Sequence, residues 1–224
     1  MDLTLLIPCL NEEKTLGQVI QEAKQFLEEN QIDGEVLIAD NGSTDESVKI
    51  ADNLGARVVE VKKKGYGSAL REGTKEAKGK FVIMGDADMS YDFYHLKEIY
   101  DKLTEGYELV IGNRLNKNIE KGAMPFLHRY VGTPVISFIG NVKYGIGIQD
   151  FNSGLRGYQK DKLQALNLSS DGMEYATEML IQAKKKNLKM TEVDIAFRKD
   201  KRDRKPHLRP FRDGARHLKV LMKG

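Results

Sequence analysis

Asp86 and Asp88 stand one residue apart, just after the apolar run Phe81-Val82-Ile83-Met84. Four large or β-branched apolar residues in a row read as a buried strand. In extended chain, residues i and i+2 share a face, so both carboxylates can reach one cation. Hard divalent cations take oxygen ligands, and Mg²⁺ typically uses one or two carboxylates plus substrate phosphates. The Asp-x-Asp pattern therefore suits a metal–diphosphate clamp. Aspartate also ends strands because it turns well, so this stretch alone leaves a structural role equally open. Asp40 ends a second apolar run, Val36-Leu37-Ile38-Ala39. Its carboxylate can accept from a nucleobase imide or a ribose hydroxyl, or it can simply open the turn Asp40-Asn41-Gly42-Ser43. Lys62, Lys63 and Lys64 precede Gly65. They can help hold phosphates, or form an ordinary solvated charge run.

These residues need elements to position them. Leu3–Ile7, Val36–Asp40, Val58–Val61, Phe81–Met84 and Leu109–Ile111 read as strands. Between them, helical spacing of apolar residues predicts helices, the first entered through Asn11 as N-cap with Glu12 and Glu13 in its first turn. Others are predicted over about 68–77 and 92–103. Alternating strands and helices imply right-handed crossovers and a parallel sheet covered on both faces. In such sheets ligands sit outside the carboxyl ends of the strands. That rule gathers Pro8–Glu12, Asp40–Asp45, the Lys62–Gly67 loop and Asp86–Asp88 at one rim. After Arg114 the alternation is lost. Residues 116–124 read as a loop, 126–145 as an apolar helical stretch, 154–158 as a strand, 160–166 and 174–186 as helices, and 189–198 as a last strand. No repeat or linker appears, so one domain is expected, with residues 1–115 and 116–224 as two functional halves.

The 224 residues are enough to bury a sizeable core. The net charge of +3 hides an asymmetry. Residues 198–224 hold 11 Lys or Arg against 3 Asp, so the preceding body is mildly acidic. A basic tail suits an anionic partner. It lacks interleaved aromatics beyond Phe211, so base stacking on nucleic acid has little support. Cys9 is the only cysteine, which excludes an intrachain disulfide and fits a reduced compartment. Met1–Ile7 lacks the basic region of a signal peptide. No run reaches the ~18–20 apolar residues of a membrane span. A cytoplasmic chain that meets a bilayer from the side is the expectation.

Gly65-Tyr66-Gly67 matches only two glycines of the dinucleotide fingerprint and follows the third strand rather than the first. An oxidoreductase is thereby disfavoured. Pro8-Cys9-Leu10-Asn11-Glu12-Glu13, Asp40-Asn41-Gly42-Ser43-Thr44-Asp45 and Gly85-Asp86-Ala87-Asp88 together resemble glycosyltransferase family 2. Further on, Gly112-Asn113-Arg114, residues 124–129, Asp150–Arg156 and Arg212–Leu218 resemble the polyprenyl-phosphate sugar transferases, the dolichyl-phosphate mannose or glucose synthase-like enzymes. The resemblance covers nearly the whole chain.

It implies a Rossmann-like, mostly parallel glycosyltransferase A-type fold, a nucleotide-diphosphosugar donor, Mg²⁺ or Mn²⁺, and inversion at the anomeric carbon. Pro8, Glu12 and Asp40 would contact the nucleoside. Asp86 and Asp88 would hold the metal and diphosphate, with Lys64 and Arg204 also assigned to the sugar donor. Arg114 and Arg129 would bind the acceptor phosphate, and Asp150 matches an acidic position near the reacting centre. Leu10 stands where many members have an aromatic, and Asn41 replaces a common second aspartate. A phosphate monoester has its second pKa near ~6, so it is largely dianionic at pH 7 and can attack without a general base. Positioning and charge stabilisation of the leaving group are then what the protein must supply. Arg202, Arg204, Lys205 and Arg209 can close over the donor diphosphate or the acceptor, because the guanidinium fork binds phosphate bidentately, or each can be ordinary surface charge. The apolar stretch around Val131–Val142 is either core or an interfacial surface that guides a lipid. Peripheral attachment to the cytosolic face, directly or through a membrane partner, follows. Three rivals remain: transfer to a saccharide hydroxyl with Asp150 as base, nucleotidyl transfer, and a non-catalytic binding module.

Overall fold

The computed structural model describes residues 1–202 and 210–223. In chain order the strands are β1 (Leu3–Cys9), β2 (Gly34–Asp40), β3 (Arg57–Glu60), β4 (Phe81–Met84), β5 (Leu109–Asn113), β6 (Arg156–Gln159) and β7 (Met190–Asp194). They form one sheet in the order β3-β2-β1-β4-β6-β5-β7. The helices are α1 (Leu16–Glu29), α2 (Ser47–Asn53), α3 (Tyr66–Glu76), α4 (Lys97–Thr104), α5 (Thr133–Tyr144), α6 (Lys160–Gln164), α7 (Tyr175–Lys185) and α8 (Pro210–Lys223). A π-helical turn, His128–Gly132, leads into α5.

Strand alternation sends successive residues to opposite faces. Leu3, Leu5 and Ile7 of β1 pack in one core with Val19, Ile20 and Phe26 of α1 and Ile99 of α4. Leu6 packs in the other with Leu70 of α3, Met179 and Leu180 of α7, and Leu221 of α8. All of these are at most 1 % exposed. Each such side chain contributes roughly 1.5–3 kcal/mol relative to exposure.

The sheet is parallel except for β6, which runs antiparallel to both β4 and β5. The exception shapes the site. A strand that runs backwards starts at the rim where its neighbours end. Arg156 opens β6 opposite Met84, the last residue of β4. Residues 150–155 are thereby delivered beside Asp86.

Two helix starts differ from the sequence reading. Asn11 is not an N-cap: it adopts φ 57°, and its Oδ1 accepts from Thr44 N at 2.7 Å. Glu12 N donates to Ser47 Oγ at 2.8 Å, and α1 begins only at Leu16. Bonds to the 43–47 turn replace helical ones. Residues 92–96 likewise precede α4 rather than belong to it. Phe93 N donates to Glu22 at 3.3 Å, and Arg198 bridges Glu22 and Asp92 at 3.1 and 2.6 Å.

α8 is held to α7 by a polar anchor. The ring Nδ1 of buried His217 lies 2.7 Å from Thr177 Oγ1. Burial pushes its pKa down from about 6.5 to about 4. The unfolded chain thus takes up a proton that the folded chain refuses between those values. Stability is full above about pH 6.5 and is lost as pH falls through that window, by up to about 1.4 kcal/mol per pH unit. Protection factors of α8 amides, which remove the intrinsic pH dependence of exchange, are predicted to fall between pH 7 and pH 4.5, and His217→Gln to flatten that dependence. An unchanged slope in the variant would refute the assignment.

Candidate active site

The carboxyl ends of β1, β4 and β5, the start of α3 and the 197–202 strap enclose a cavity of about 530 Å³. Asp86 and Asp88 line it where β4 ends. Each uses one oxygen to hold itself in place. Tyr66 Oη donates to Asp86 Oδ1 at 2.8 Å. Ser90 N and Oγ donate to Asp88 Oδ1 at 2.9 and 2.6 Å. That leaves Asp86 Oδ2 and Asp88 Oδ2. On the second sits Arg202 Nη2 at 2.8 Å. Burial, and then the charge of Asp88, push Asp86 up to about 7. Two oxygen ligands that repel each other and already draw a cation fit a hard divalent ion. Among the described residues no group of three or more His, Cys, Asp or Glu gathers as a metal site. An ion at this pair would complete its shell from its substrate.

Gly154 closes the wall opposite Asp86. A Cβ there would lie 2.9 Å from Asp86 Oδ2 and 3.1 Å from the hydroxyls of Tyr66 and Tyr91. Tyr91 Oη in turn accepts from Gly154 N at 2.7 Å. Tyr66 is positioned by the turn before it. Gly65 adopts φ 134°, and its N–H donates to Asn41 Oδ1 at 2.7 Å. Asn41 Nδ2 donates to the carbonyls of Val61 and Lys63 at 3.1 and 2.8 Å. An ionised aspartate has no proton for those two carbonyls, which gives asparagine at 41 its physical reason.

Pro8, Glu12, Lys64, Asp86, Asp88 and Arg114 all line the cavity, as their rim positions require. Three expected contacts lie elsewhere. Asp40 does not line it; its carboxylate accepts from Gly42 N and Ser43 N at 3.0 and 3.1 Å and closes the turn. Asp150 is fully buried behind the wall and holds Arg114 bidentately, Nε at 2.7 Å and Nη2 at 2.8 Å. It acts on the cavity through that arginine. Burial disfavours its charge, but Arg114 keeps its pKa below the ordinary carboxylate range. Arg129 donates to Asn116 O at 3.4 Å and stacks on Tyr130; His128 lines the cavity instead. Arg204, Lys205 and Arg209 lie outside the described residues. Burial pushes the Cys9 thiol up to about 11, so it is no nucleophile.

Tyr66, Ser90 and Tyr91 were not singled out from the sequence. Tyr66 alone had a signal, its place in a rim loop. Arg156 was missed as well. It is fully buried with no carboxylate in hydrogen-bond contact among the described residues, donating to the carbonyls of Phe151, Ser153 and Ala176 at 2.7–2.9 Å. It ties the 150–154 loop to α7, and burial lowers its pKa to about 10.

Comparison with known proteins places this geometry. The family model for glycosyl transferase family 2 matches residues 4–166, and the chain belongs to that family. The low-salt glycan biosynthesis hexosyltransferase Agl6 of Haloferax volcanii is 38% identical over 98% of the chain. The chain spans about half of that relative, 53% of its length. A dolichyl-phosphate hexose transferase of the same organism is 28% identical, covering 99% of this chain and 93% of its own. Among solved structures, glucosyl-3-phosphoglycerate synthase of Mycobacterium tuberculosis with Mn²⁺, UDP-glucose and phosphoglyceric acid superposes with a TM-score of 0.79. It is 20% identical and covers 99% of this chain and 79% of its own. A second structure of that enzyme, with Mg²⁺ and UDP, has a TM-score of 0.74 at 22% identity, covering 99% and 78%. The fold is thus the glycosyltransferase A type.

Asp150→Asn leaves Arg114, whose side chain is only 11 % exposed, without its charge partner and is predicted to cost about 3 kcal/mol. Asp40→Asn keeps one acceptor for its own turn and should cost about 1 kcal/mol. Urea unfolding followed by circular dichroism compares the two; equal losses would contradict this division of roles.

Proposed function

We propose that this chain transfers a hexose, with inversion, from a nucleotide-diphosphate sugar to a polyprenyl phosphate at a membrane surface. One observation carries the choice of acceptor. Away from the acids, the cavity wall turns apolar, through Ala123, Met124, Ile136 and Phe197. The chain flanking that wall is apolar on its outside too. Of ten large apolar side chains exposed among the described residues, seven lie between residues 126 and 142 and two on α8. Phe138 and Val142 are about 70 % exposed, at 69 and 71 %. A site with a charged end and an apolar end suits an amphiphile better than a free sugar or a small acid. No helix among the described residues is long and apolar enough to cross a bilayer. Attachment from the cytosolic side, by these faces or with a membrane partner, accords with that.

The name of the dolichyl-phosphate hexose transferase relative supports the lipid acceptor. The UDP and divalent ions of the structural neighbours support the sugar donor and metal. Asp86 and Asp88 would hold Mg²⁺ or Mn²⁺, which supplies charge stabilisation for the departing nucleoside diphosphate. The protein's own groups do the rest. Arg114 keeps its fork pointed by Asp150, with Nη1 free of any protein acceptor among the described residues. It can bind an acceptor phosphate oxygen. That oxygen bonds to the anomeric carbon while the bond to the diphosphate breaks. No base is required, because the phosphate is already ionised. The saccharide-hydroxyl alternative needs a base, and Asp150, enclosed and paired with Arg114, is poorly placed to be one.

Incubation with nucleotide-diphosphate hexoses and a vesicle-borne polyprenyl phosphate is predicted to release nucleoside diphosphate and a lipid-linked sugar. Asp88→Asn should lower kcat/KM by at least about 100-fold. Phe138→Ser with Val142→Ser should raise KM for the lipid and leave binding of the sugar donor unchanged. Release of pyrophosphate, or transfer only to a soluble saccharide, would overturn the proposal.

A further inference from the structure

Neither oxygen of Asp88 is free. Ser90 takes Oδ1 and Arg202 takes Oδ2. The guanidinium spans three acids: Asp88 at 2.8 Å, Glu12 at 3.3 Å and Asp200, through Nε and Nη2, at 2.6–3.0 Å. Its side chain is only 14 % exposed. We infer that Arg202 holds the divalent cation's place in the donor-free protein, so that a free metal ion is kept off Asp88 until a diphosphate accompanies it. The inference rests on reading Asp86 and Asp88 as the metal ligands.

This is no wandering surface arginine. The strap that carries it is laced to the segment that carries Asp88. Lys201 N donates to Asp88 O at 3.1 Å, and Arg198 N to Ser90 O at 2.8 Å. Arg198 then fixes the start of the strap on Glu22 and Asp92. Asp200 turns back to accept from Arg202 N at 2.8 Å and sets the fork's direction. The side-chain entropy of placing a guanidinium on Asp88 is therefore met by the fold.

A divalent ion arriving alone must shed water and break a largely buried ion pair, for two protein oxygens. An ion already bonded to a diphosphate brings further oxygen ligands and meets the same competitor on better terms. Metal and nucleotide then bind cooperatively, and by linkage each strengthens the other equally. If the guanidinium occupies Asp88 for at least about 90% of the time, it weakens free-metal binding by about tenfold or more.

The test is Mn²⁺ binding to the purified chain, by electron paramagnetic resonance of the free ion, with and without UDP and without any acceptor. Wild type should bind free Mn²⁺ weakly and gain strongly from UDP. Arg202→Gln should bind free Mn²⁺ at least tenfold more tightly and gain less from UDP. Asp200→Asn, which frees the fork but removes no cation, should move the same way. Lys97→Gln, which removes an exposed cation on α4 outside the cavity, should change free Mn²⁺ affinity less than threefold. Thermal unfolding checks that each variant is folded. If Arg202→Gln and Asp200→Asn both match wild type in free Mn²⁺ affinity while UDP still tightens it, the competition is overturned and the metal site stands. If no form binds Mn²⁺ even with UDP, the metal site itself falls, and this inference with it.

Discussion

Like charges gathered at the end of one strand set the terms for the rest of this molecule. Asp86 and Asp88 face a cavity where water is scarce and repulsion is weakly screened. The rise of Asp86 to about 7 is one sign of that tension. Relief comes from several parts of the chain: Tyr66 from α3, Ser90 from the turn after β4, and Arg202 from the strap beyond β7. Only one rim of the sheet can bring such distant segments together. The reversed strand β6 adds the 150–154 loop to it, which no parallel strand between β4 and β5 could have done.

The cations around the site are arranged by a shared rule. Arg114 has Asp150, Arg202 has Asp200, and Arg198 has Glu22 and Asp92. Each fork has its own acid to aim it before any ligand arrives. Pre-aimed groups lose little freedom on binding, which is where much catalytic advantage comes from. Arg156 departs from the rule. Among the described residues its direct oxygen partners are carbonyls, and in return three chain segments are fixed by one side chain. A buried charge is costly, so such an arrangement belongs where position matters more than stability.

Much of this was legible in the sequence, and the exceptions share a cause. Short runs rich in apolar and β-branched residues located the first five strands, β3 among them although Glu60 interrupts its run and it is only partly buried. The rim rule then brought Pro8, Glu12, Lys64, Asp86 and Asp88 to one cavity without any side-chain detail. What could not be read was where a polar side chain spends its hydrogen bonds. Asp40 spends its oxygens on its own turn, Asp150 on Arg114, and Asn11 on the neighbouring loop. Each choice depends on partners about 2 to 36 residues away, as the 36-residue span of the Arg114–Asp150 pair shows. Propensity carries no information about the two distant partners, whereas the turn at Asp40 was open from the sequence as its alternative role. The direction of β6 was hidden for the same reason: four residues do not declare which way they run.

The outward face of α8 follows from its spacing. Asp213, His217 and Leu221 are buried at four-residue intervals and define its inner side. Arg212, Arg216, Lys219 and Lys223 then fall along one outer edge, and Leu218 and Met222 along the other. In water the basic edge is satisfied and the apolar edge is not. In a protein core the reverse holds. A boundary between an anionic layer and an apolar one satisfies both edges at once. α8 touches α5, on which Val135, Phe138 and Val142 are exposed as well. The cavity reaches both helices, through Ile136 on α5 and Arg216 on α8. On the proposed function, the surface best suited to a bilayer also lies beside the site that would take the acceptor phosphate.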